Sequence, residues 1–401
     1  MSCAIVAIPT WTIMQGMLHL ERLRTAIEAL SQQVRQHQQQ AEAELTDVLR
    51  WLETAPSPAA LRERTPPPDR PGEEAALPPQ DLPLASRLEA PGAPAHGSVI
   101  IGVDGSQIAP DRHALALYYV IQVGALIFRY NGQAPTPVQE AELHFAEDEL
   151  FDAEGLLITG QLGMRRTVAE MGLAVALAEK VRAEGAPTPI LTLTDGPLLW
   201  PYSGRSDEEA RALLPGYFAA FDRLRELGAL PAGFVERPGG RGLVELLWQS
   251  RLDESGSPQR QGECHPEAVD DELLMAHFLA PGERSVWLTR PSQMNERHSR
   301  HGHPIWFCYV NLGEKGLPVI ARLEVPRWAA EREEWALALH TTLLHQARLL
   351  NGNPYVLARA HELALVTHQD QAALESQLHR RLLERGLITR PSEKARQKRF
   401  F

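Results

Sequence analysis

Two short apolar runs in this chain end in the same dipeptide, Asp-Gly. The first run is Val99–Asp104 and the second is Ile190–Asp195, and a glycine follows each aspartate. Apolar and β-branched residues favour strands, and Asp-Gly also occurs as an ordinary turn dipeptide. Because the dipeptide ends a strand-like run twice, the pattern predicts two buried strands that carry Asp104 and Asp195 at their C-terminal tips.

The rest of the globular part mixes strand-like and helix-like periodicity. Residues 250–303 are otherwise irregular and polar, with one helix expected near 269–279. Apolar spacing predicts further strands at 115–130, 138–145, 189–194, 233–236, 304–312 and 317–325, and helices at 160–184, 206–228, 328–349, 354–367 and 370–385. This order predicts an α/β fold with a mixed sheet and helices on both faces, as in ribonuclease-H-like proteins.

The N-terminal part is predicted to be one long helix over residues 17–53. Its apolar positions alternate steps of four and three at Leu23, Ile27, Leu30, Val34, His37 and Ala41. A narrow stripe of this kind is typical of a coiled-coil seam, which favours pairing with another chain. A helix lying on its own domain remains the alternative.

Residues 54–94 contain eleven of the 31 prolines of the chain. A segment this rich in proline is expected to be an extended linker without helix or sheet interior. The resulting division is a helical dimerisation segment (1–53), a proline-rich linker (54–94), a globular domain (95–389) and a basic tail (390–401).

Charge and cysteine content limit the class of protein. The formal net charge of −11 argues against binding nucleic acid through bulk charge, and suggests that a partner delivers any DNA. Three widely spaced cysteines give neither a disulfide framework nor a zinc pattern, so a cytoplasmic protein is expected. No apolar run approaches the length that spans a bilayer, and we expect no membrane association.

The acidic residues are the best candidates for chemistry. Two carboxylates aimed at one point repel each other unless a hard cation joins them, and oxygen ligands suit Mg²⁺ or Mn²⁺. The helix between the two strands offers a third carboxylate. Glu170 lies at the edge of its apolar face and is preferred, whereas Glu179 beside Lys180 resembles a surface residue.

Histidines give a less specific signal. His361 lies on a helix face of small residues, where it is either a core histidine or a ligand or general acid beside a metal. The cluster of His298, His301 and His303 lies among polar residues and is expected to be a solvated loop.

Taken together, these motifs resemble the NurA nuclease family over residues 98–370. The matching pieces are Gly102–Ser106 followed by Tyr118–Ile121, the Arg166–Glu170 helix, Leu193–Gly196, Ala232–Val235 with Arg237-Pro238, Arg322–Pro326, and Gly352–Tyr355 through Ala360–Ala364. Pro197 stands where many members carry Ser, and Glu236-Arg237 stands where archaeal members tend to carry a Lys. These departures concern substrate contacts more than metal binding.

The resemblance implies a ribonuclease-H-like, Mn²⁺-dependent (or Mg²⁺-dependent) deoxyribonuclease with two ions. It implies 5′-to-3′ exonuclease and single-strand endonuclease activity, as a homodimer on a HerA-type hexameric ATPase, in DNA end resection during double-strand-break repair. The family's functional residues map onto Asp104, Glu170, Asp195, Tyr355 and His361, with all but Tyr355 as metal ligands. The alternatives are a catalytically inert dimeric subunit of a DNA translocase and an RNA-cutting relative.

Overall fold

The fold was analysed in a computed structural model. It describes residues 20–64, 75–90, 92–112, 114–151, 155, 157–158, 161–199, 207–253, 255–260 and 262–387. The predicted basic tail, part of the proline-rich segment and the first 19 residues lie outside the described residues.

The described residues form a single sheet surrounded by helices. The strands are β1 Leu88–Glu89, β2 Val99–Ile108, β3 Tyr119–Arg129, β4 Thr136–His144, β5 Ile190–Asp195, β6 Ala229–Glu236, β7 Glu283–Arg284, β8 Leu288–Thr289, β9 Ile305–Asn311 and β10 Ile320–Pro326. The helices are α1 Leu20–Glu53, α2 Pro58–Arg64, α3 Glu147–Leu150, α4 Leu162–Ala183, α5 Asp207–Glu226, α6 Gly242–Gln249, α7 Asp271–Phe278, α8 Gln293–Arg300, α9 Arg327–Ala330, α10 Glu333–Arg348, α11 Tyr355–Ala364 and α12 His368–Glu384.

The sheet has ten strands in the order β1-β7-β9-β10-β6-β5-β2-β3-β4, with β8 paired to β9. Its neighbours are mostly antiparallel, but β5 pairs in parallel with both β2 and β6. The helices α4 and α5 provide a path from β2 to β5 and from β5 to β6, which is what a parallel pairing requires. The prediction of a mixed sheet flanked by helices is confirmed.

Both faces of the sheet carry apolar cores. On one face, Ile101 and Val103 of β2 pack with α4 and α5. On the other face, Ile100 packs with α10 and α11. The opposite directions of Ile100 and Ile101 follow from the two-residue alternation of a strand. The central strands β2 and β5 are therefore covered by helices on both sides, and this holds their ends in fixed positions.

The N-terminal helix divides into two parts. All residues from Leu20 to Gln40 are exposed, whereas Val48, Trp51 and Leu52 are buried against α6 and α7. The interpretation of a helix lying on its own domain therefore holds for the C-terminal half, and pairing of the exposed half with another chain stays a prediction. None of the described helices combines the length and the apolar character needed to cross a membrane.

Three local expectations from the sequence are wrong. The proline-rich segment forms α2, and its Leu61 is buried in the core, because proline is well tolerated in the first turn of a helix. The helix expected at 328–349 is two helices, α9 and α10, separated by Glu331 and Arg332. The stretch 250–303 contains α8, β7 and β8 in addition to the predicted α7.

Candidate active site

The register of the parallel strands brings Asp104 and Asp195 together. The last paired positions of β2 and β5 are Val103 and Thr194, so the two aspartates are the next residues on neighbouring strands. Neighbouring strands lie about 4.8 Å apart. Asp195 lies two residues after Leu193 on β5, and Asp104 occupies the matching position on β2. Because Leu193 faces α10 and α11, both aspartates project from the α11 face of the sheet.

One part of the prediction for Asp104 is wrong. β2 does not end at this residue but continues to Ile108, which pairs with Val120 of β3. The antiparallel partner is long enough to extend β2 beyond the point where β5 stops. Asp104 therefore lies within a strand, at the place where β2 loses its parallel neighbour, and only Asp195 lies at a strand end.

His361 reaches Asp104 from α11. Its Nδ1 lies 2.7 Å from Asp104 Oδ2, and an ionised carboxylate only accepts, so Nδ1 donates. The imidazole is 64% exposed, which excludes the interpretation as a core histidine. Asp104 Oδ1 also accepts from the backbone N–H of Gly105. The Nε2 of His361 therefore remains on the solvent side.

Two glycines allow α11 to lie directly on the sheet. A Cβ atom at Gly102 would be 2.5 Å from the carbonyl oxygen of Val356, and one at Gly124 would be 2.4 Å from the backbone nitrogen of Ala364. Any larger residue at these positions would push the helix away from β2 and β3. The short distance between His361 and Asp104 therefore depends on the absence of side chains at Gly102 and Gly124.

Glu170 approaches from the opposite face, on α4. It is 6% exposed, and its Oε1 lies 3.2 Å from the Nε of Arg166. A Cβ atom at Gly105 would be 2.6 Å from that same Oε1, so this glycine gives the carboxylate access to β2. Glu179, the other candidate on α4, forms an exposed ion pair with Arg223.

The acidic residues influence each other's ionisation. Burial raises the pKa of Glu170 to about 8, the Arg166 guanidinium opposes this shift, and the charges of Asp104 and Asp195 add to it. Desolvation by the surrounding protein also raises the pKa of Asp195, with Asp104 as the next cause. Three carboxylates from β2, β5 and α4 therefore form one electrostatic unit with an excess of negative charge.

A buried glutamate on β10 holds the turn that follows Asp195. Glu324 is 2% exposed, and its Oε2 accepts from the backbone N–H groups of Leu198 and Leu199 at 2.9 Å and 3.2 Å. Its Oε1 lies 2.7 Å from an Nη of Arg322. The sequence contained no signal for this role, because Glu324 and the turn are separated by more than 120 residues.

Tyr355 lies at the start of α11, and its ring contacts Phe128 edge-on. Among the described residues, its hydroxyl forms no hydrogen bond with the three carboxylates. The same end of the helix is held by the buried Gln346, whose side-chain oxygen accepts from the N–H of Val356. The structure thus brings together Asp104, Glu170, Asp195 and His361, with Tyr355 at the opposite end of α11.

The expectation of a solvated loop at His298, His301 and His303 is wrong for His298 and His303, whereas His301 is exposed in the turn after α8. His298 and His303 are fully buried, and His298 packs edge-on against Phe218 of α5. His303 Nδ1 accepts from Trp328 Nε1, which leaves its other nitrogen to donate to Asp222. The aromatic side chains of α5 form an apolar surface that α8 covers. Because α5 lies far from α8 in the sequence, no local pattern around the histidines indicated their burial.

The carboxylate unit has the donor chemistry of a site for divalent cations. Oxygen ligands suit Mn²⁺ and Mg²⁺. Burial is the main cause of the raised pKa values of Glu170 and Asp195, and the charge of Asp104 adds to it in both cases. Within the described residues, however, no three acidic, histidine or cysteine side chains are close enough to form a ready-made metal site. Cation binding therefore requires the side chains to close in on the ion.

Comparison with known proteins gives the family. The model of the NurA domain family matches residues 98–366, about two thirds of the chain. Two solved structures, a crystal structure of NurA and a crystal structure of NurA with manganese, are each 12% identical to this chain, with a TM-score of 0.40. Each alignment covers 72% of this chain, and 90% and 89% of those chains. No curated protein matches the chain. The resemblance noted from the sequence is therefore confirmed, and the chain belongs to the NurA domain family.

Proposed function

We propose that this chain is a metal-dependent deoxyribonuclease that acts through the unit of Asp104, Glu170 and Asp195. Membership of the NurA domain family supports a nuclease-type role. The observation that carries the proposal is the register of β2 and β5, which sets two aspartates side by side where the buried Glu170 adds a third carboxylate. Clustered carboxylates of this kind are the usual ligands for phosphodiester chemistry with hard cations.

Asp104, Glu170 and Asp195 would hold Mn²⁺ or Mg²⁺ through their oxygens, with His361 as a further donor. When bound, two such ions stabilise charge on the attacking and leaving oxygens of a phosphodiester. Asp104 would be the central ligand, because it borders Asp195 on one side and His361 on the other. Glu170 and Asp195 would complete the two ligand sets.

His361 is proposed to orient or protonate the leaving group. Because Asp104 accepts from Nδ1, the imidazole is held in one orientation with Nε2 directed towards solvent, where a substrate would lie. Tyr355 is proposed to stack on a base or contact a phosphate. Stacking on an aromatic side chain is worth about 1–3 kcal/mol per base.

The family resemblance extends the proposal to substrate and partners. We infer a ribonuclease-H-like core, 5′-to-3′ exonuclease and single-strand endonuclease activity, and work as a homodimer on a HerA-type hexameric ATPase during DNA end processing. The net charge of −11 supports delivery of DNA by such a partner rather than capture of DNA by this chain alone.

Digestion of matched DNA and RNA oligonucleotides tests the proposal. The purified chain should cleave end-labelled DNA with Mn²⁺ and not with a chelator, and a HerA-type ATPase should increase the rate. Equal cleavage of RNA would indicate an RNA-cutting relative instead. Intact DNA under all these conditions, with the ATPase bound, would indicate an inert subunit of a translocase.

A further inference from the structure

The exposed half of α1 presents a continuous apolar stripe to solvent. Every residue from Leu20 to Gln40 is exposed. The large apolar residues of the stripe and their exposed fractions are Leu20 63%, Leu23 38%, Ile27 52%, Leu30 59% and Val34 49%. A helix with a free apolar stripe gains most of its stability from a packing partner rather than from intrinsic propensity.

The spacing of the stripe identifies the kind of partner. In heptad notation, Leu20, Ile27 and Val34 occupy position a, and Leu23, Leu30 and the polar His37 occupy position d. β-branched residues at a, together with leucine at d, favour a parallel coiled coil of two strands. The stripe is also narrow, as in a coiled-coil seam, and is not the wider face of a helix that packs on a globular domain.

The residues beside the stripe are compatible with pairing between identical helices. In a parallel dimer, position g of one helix faces position e of the other. Here Ala26 would face Ser31, and Gln33 would face Gln38, so no like charges oppose each other in these pairs. The charged residues Glu21, Arg22, Glu28 and Arg35 fall at the outward positions b and c, and Arg24 is the one charged residue of this segment at a flanking position, e. A seam with a single flanking charge offers a basic or acidic partner little charge complementarity.

We propose that residues 20–40 form a parallel, in-register coiled coil with the same residues of a second copy of this chain. The buried end of α1, with Val48 and Leu52 in the core, anchors this coil to the sheet domain. The inference rests on the proposed homodimer and identifies its surface. It does not depend on the chemistry of the carboxylate unit.

Sedimentation of the 401-residue chain tests whether the apolar stripe of α1 forms the dimer contact. The wild type should sediment as a dimer, at twice the chain mass of 44.6 kDa. Ile27→Glu should raise the dissociation constant at least about 100-fold, because it sets two carboxylates in one apolar layer. Gln32→Glu adds the same charge at the outward position f and should leave the dimer intact. A monomeric wild type, or an Ile27→Glu dimer as tight as the wild type, would overturn the proposal.

Cross-linking tests the parallel register. In a background of Cys3→Ser and Cys264→Ser, Val34→Cys should form a disulfide between two copies under mild oxidation. The outward Gln32→Cys should not. Because Val34 lies away from the middle of the coil, an antiparallel pair would separate the two cysteines by about two turns. Equal cross-linking at both positions, or at neither, would contradict the register.

Cleavage assays separate this inference from the proposed function. Asp104→Asn should abolish cleavage and leave the dimer intact. If the chain dimerises through α1 but no variant or wild type cleaves DNA, the nuclease proposal fails and the coiled coil stands. If Ile27→Glu remains a dimer while the wild type cleaves DNA, only the coiled coil fails.

Discussion

At the scale of single residues, the buried carboxyl of Glu170 determines how the site responds to pH. Its pKa of about 8 means that it carries a proton at neutral pH when the Arg166 guanidinium is the cation beside it and no metal ion is bound. A cation that binds this carboxylate must displace the proton, so metal binding and proton release are coupled. Because burial raises the pKa of Glu170, the affinity of this carboxylate for a cation depends on pH.

We predict that Mn²⁺ binding releases about one proton from Glu170 below pH 7, and progressively less as the pH rises past 8. Affinity should therefore increase with pH up to about 8 and then level off. Calorimetric titration in buffers of different ionisation enthalpy measures the proton release. Glu170→Gln should remove it, and Glu179→Gln on the same helix should not. Equal release in the wild type and Glu170→Gln would contradict this assignment.

Glu324 provides a second test at this scale. Glu324→Ala leaves Arg322 and two backbone N–H groups without their buried acceptor, and it should lower the free energy of unfolding by about 3 kcal/mol. Because the turn after Asp195 loosens, cleavage should fall as well. Urea unfolding measures the stability change.

The exposed pair of Glu331 with Arg327 gives the matched control for Glu324. Glu331→Ala should change stability by less than about 1 kcal/mol, since exposed ion pairs contribute little. Similar losses in the two variants would show that Glu324 does not act as a buried acceptor.

At the scale of elements, the contact of α11 with the sheet decides whether His361 reaches Asp104. Among the described helices on this face, α11 is the one whose backbone a Cβ atom at Gly102 or Gly124 would meet. Backbone has less room to adjust than a side chain. The position of α11 should therefore be sensitive to a single methyl group.

Gly124→Ala should displace α11, reduce Mn²⁺-dependent cleavage at least about tenfold, and cost about 1–3 kcal/mol of stability through overpacking. Gly172→Ala is the control, because a Cβ atom there would meet no atom within 4 Å. This substitution lies in the interior of helix α4 and should increase stability by about 1 kcal/mol. Full activity of Gly124→Ala would show that the close approach is not needed.

The packing of α8 on α5 should make the fold sensitive to acid. Burial lowers the pKa of His298 from 6.5 to about 4, so between these values the unfolded chain takes up a proton and the folded chain does not. The free energy of unfolding should therefore fall by about 3 kcal/mol between pH 6.5 and pH 4, and be unaffected by this group above pH 6.5.

Urea unfolding across this pH range tests the role of His298. His340 is also buried, with its pKa lowered to about 4, and burial lowers the pKa of His303 too, so the wild type should show the sum of all three effects. His298→Phe should remove its share of the slope and leave that of His340. A slope between pH 6.5 and 5 that is unchanged in His298→Phe would assign the acid sensitivity to other groups.

At the scale of the whole molecule, local patterns predicted most elements and long-range packing decided the rest. The strands of Asp104 and Asp195 were evident from their apolar runs, and the mixed sheet followed from the order of elements. The extension of β2 beyond Asp104 was not predictable, because it depends on pairing with β3. The burial of His298 depends on aromatic residues about 80 positions earlier in the chain, which no local window includes.

In the candidate site, too, local patterns predicted some residues, and long-range packing decided the role of others. Asp104, Asp195 and Glu170 could be named from motifs, since each lies in a run with a clear period. Arg166 and Glu324 could not, because their contacts with the site arise only when α4 and β10 are folded. The two halves of α1 also looked alike in sequence, and only the position of α6 and α7 makes one half buried.

The most direct test of the central claim is the rate of Mn²⁺-dependent DNA cleavage by four single variants. Asp104→Asn, Asp195→Asn and Glu170→Gln should each lose at least about 100-fold in rate while retaining cooperative thermal unfolding. Glu179→Gln, on the same helix as Glu170, should cleave as the wild type does. Full activity in Asp104→Asn and Asp195→Asn would contradict the account, because the carboxylates would then take no part in the chemistry.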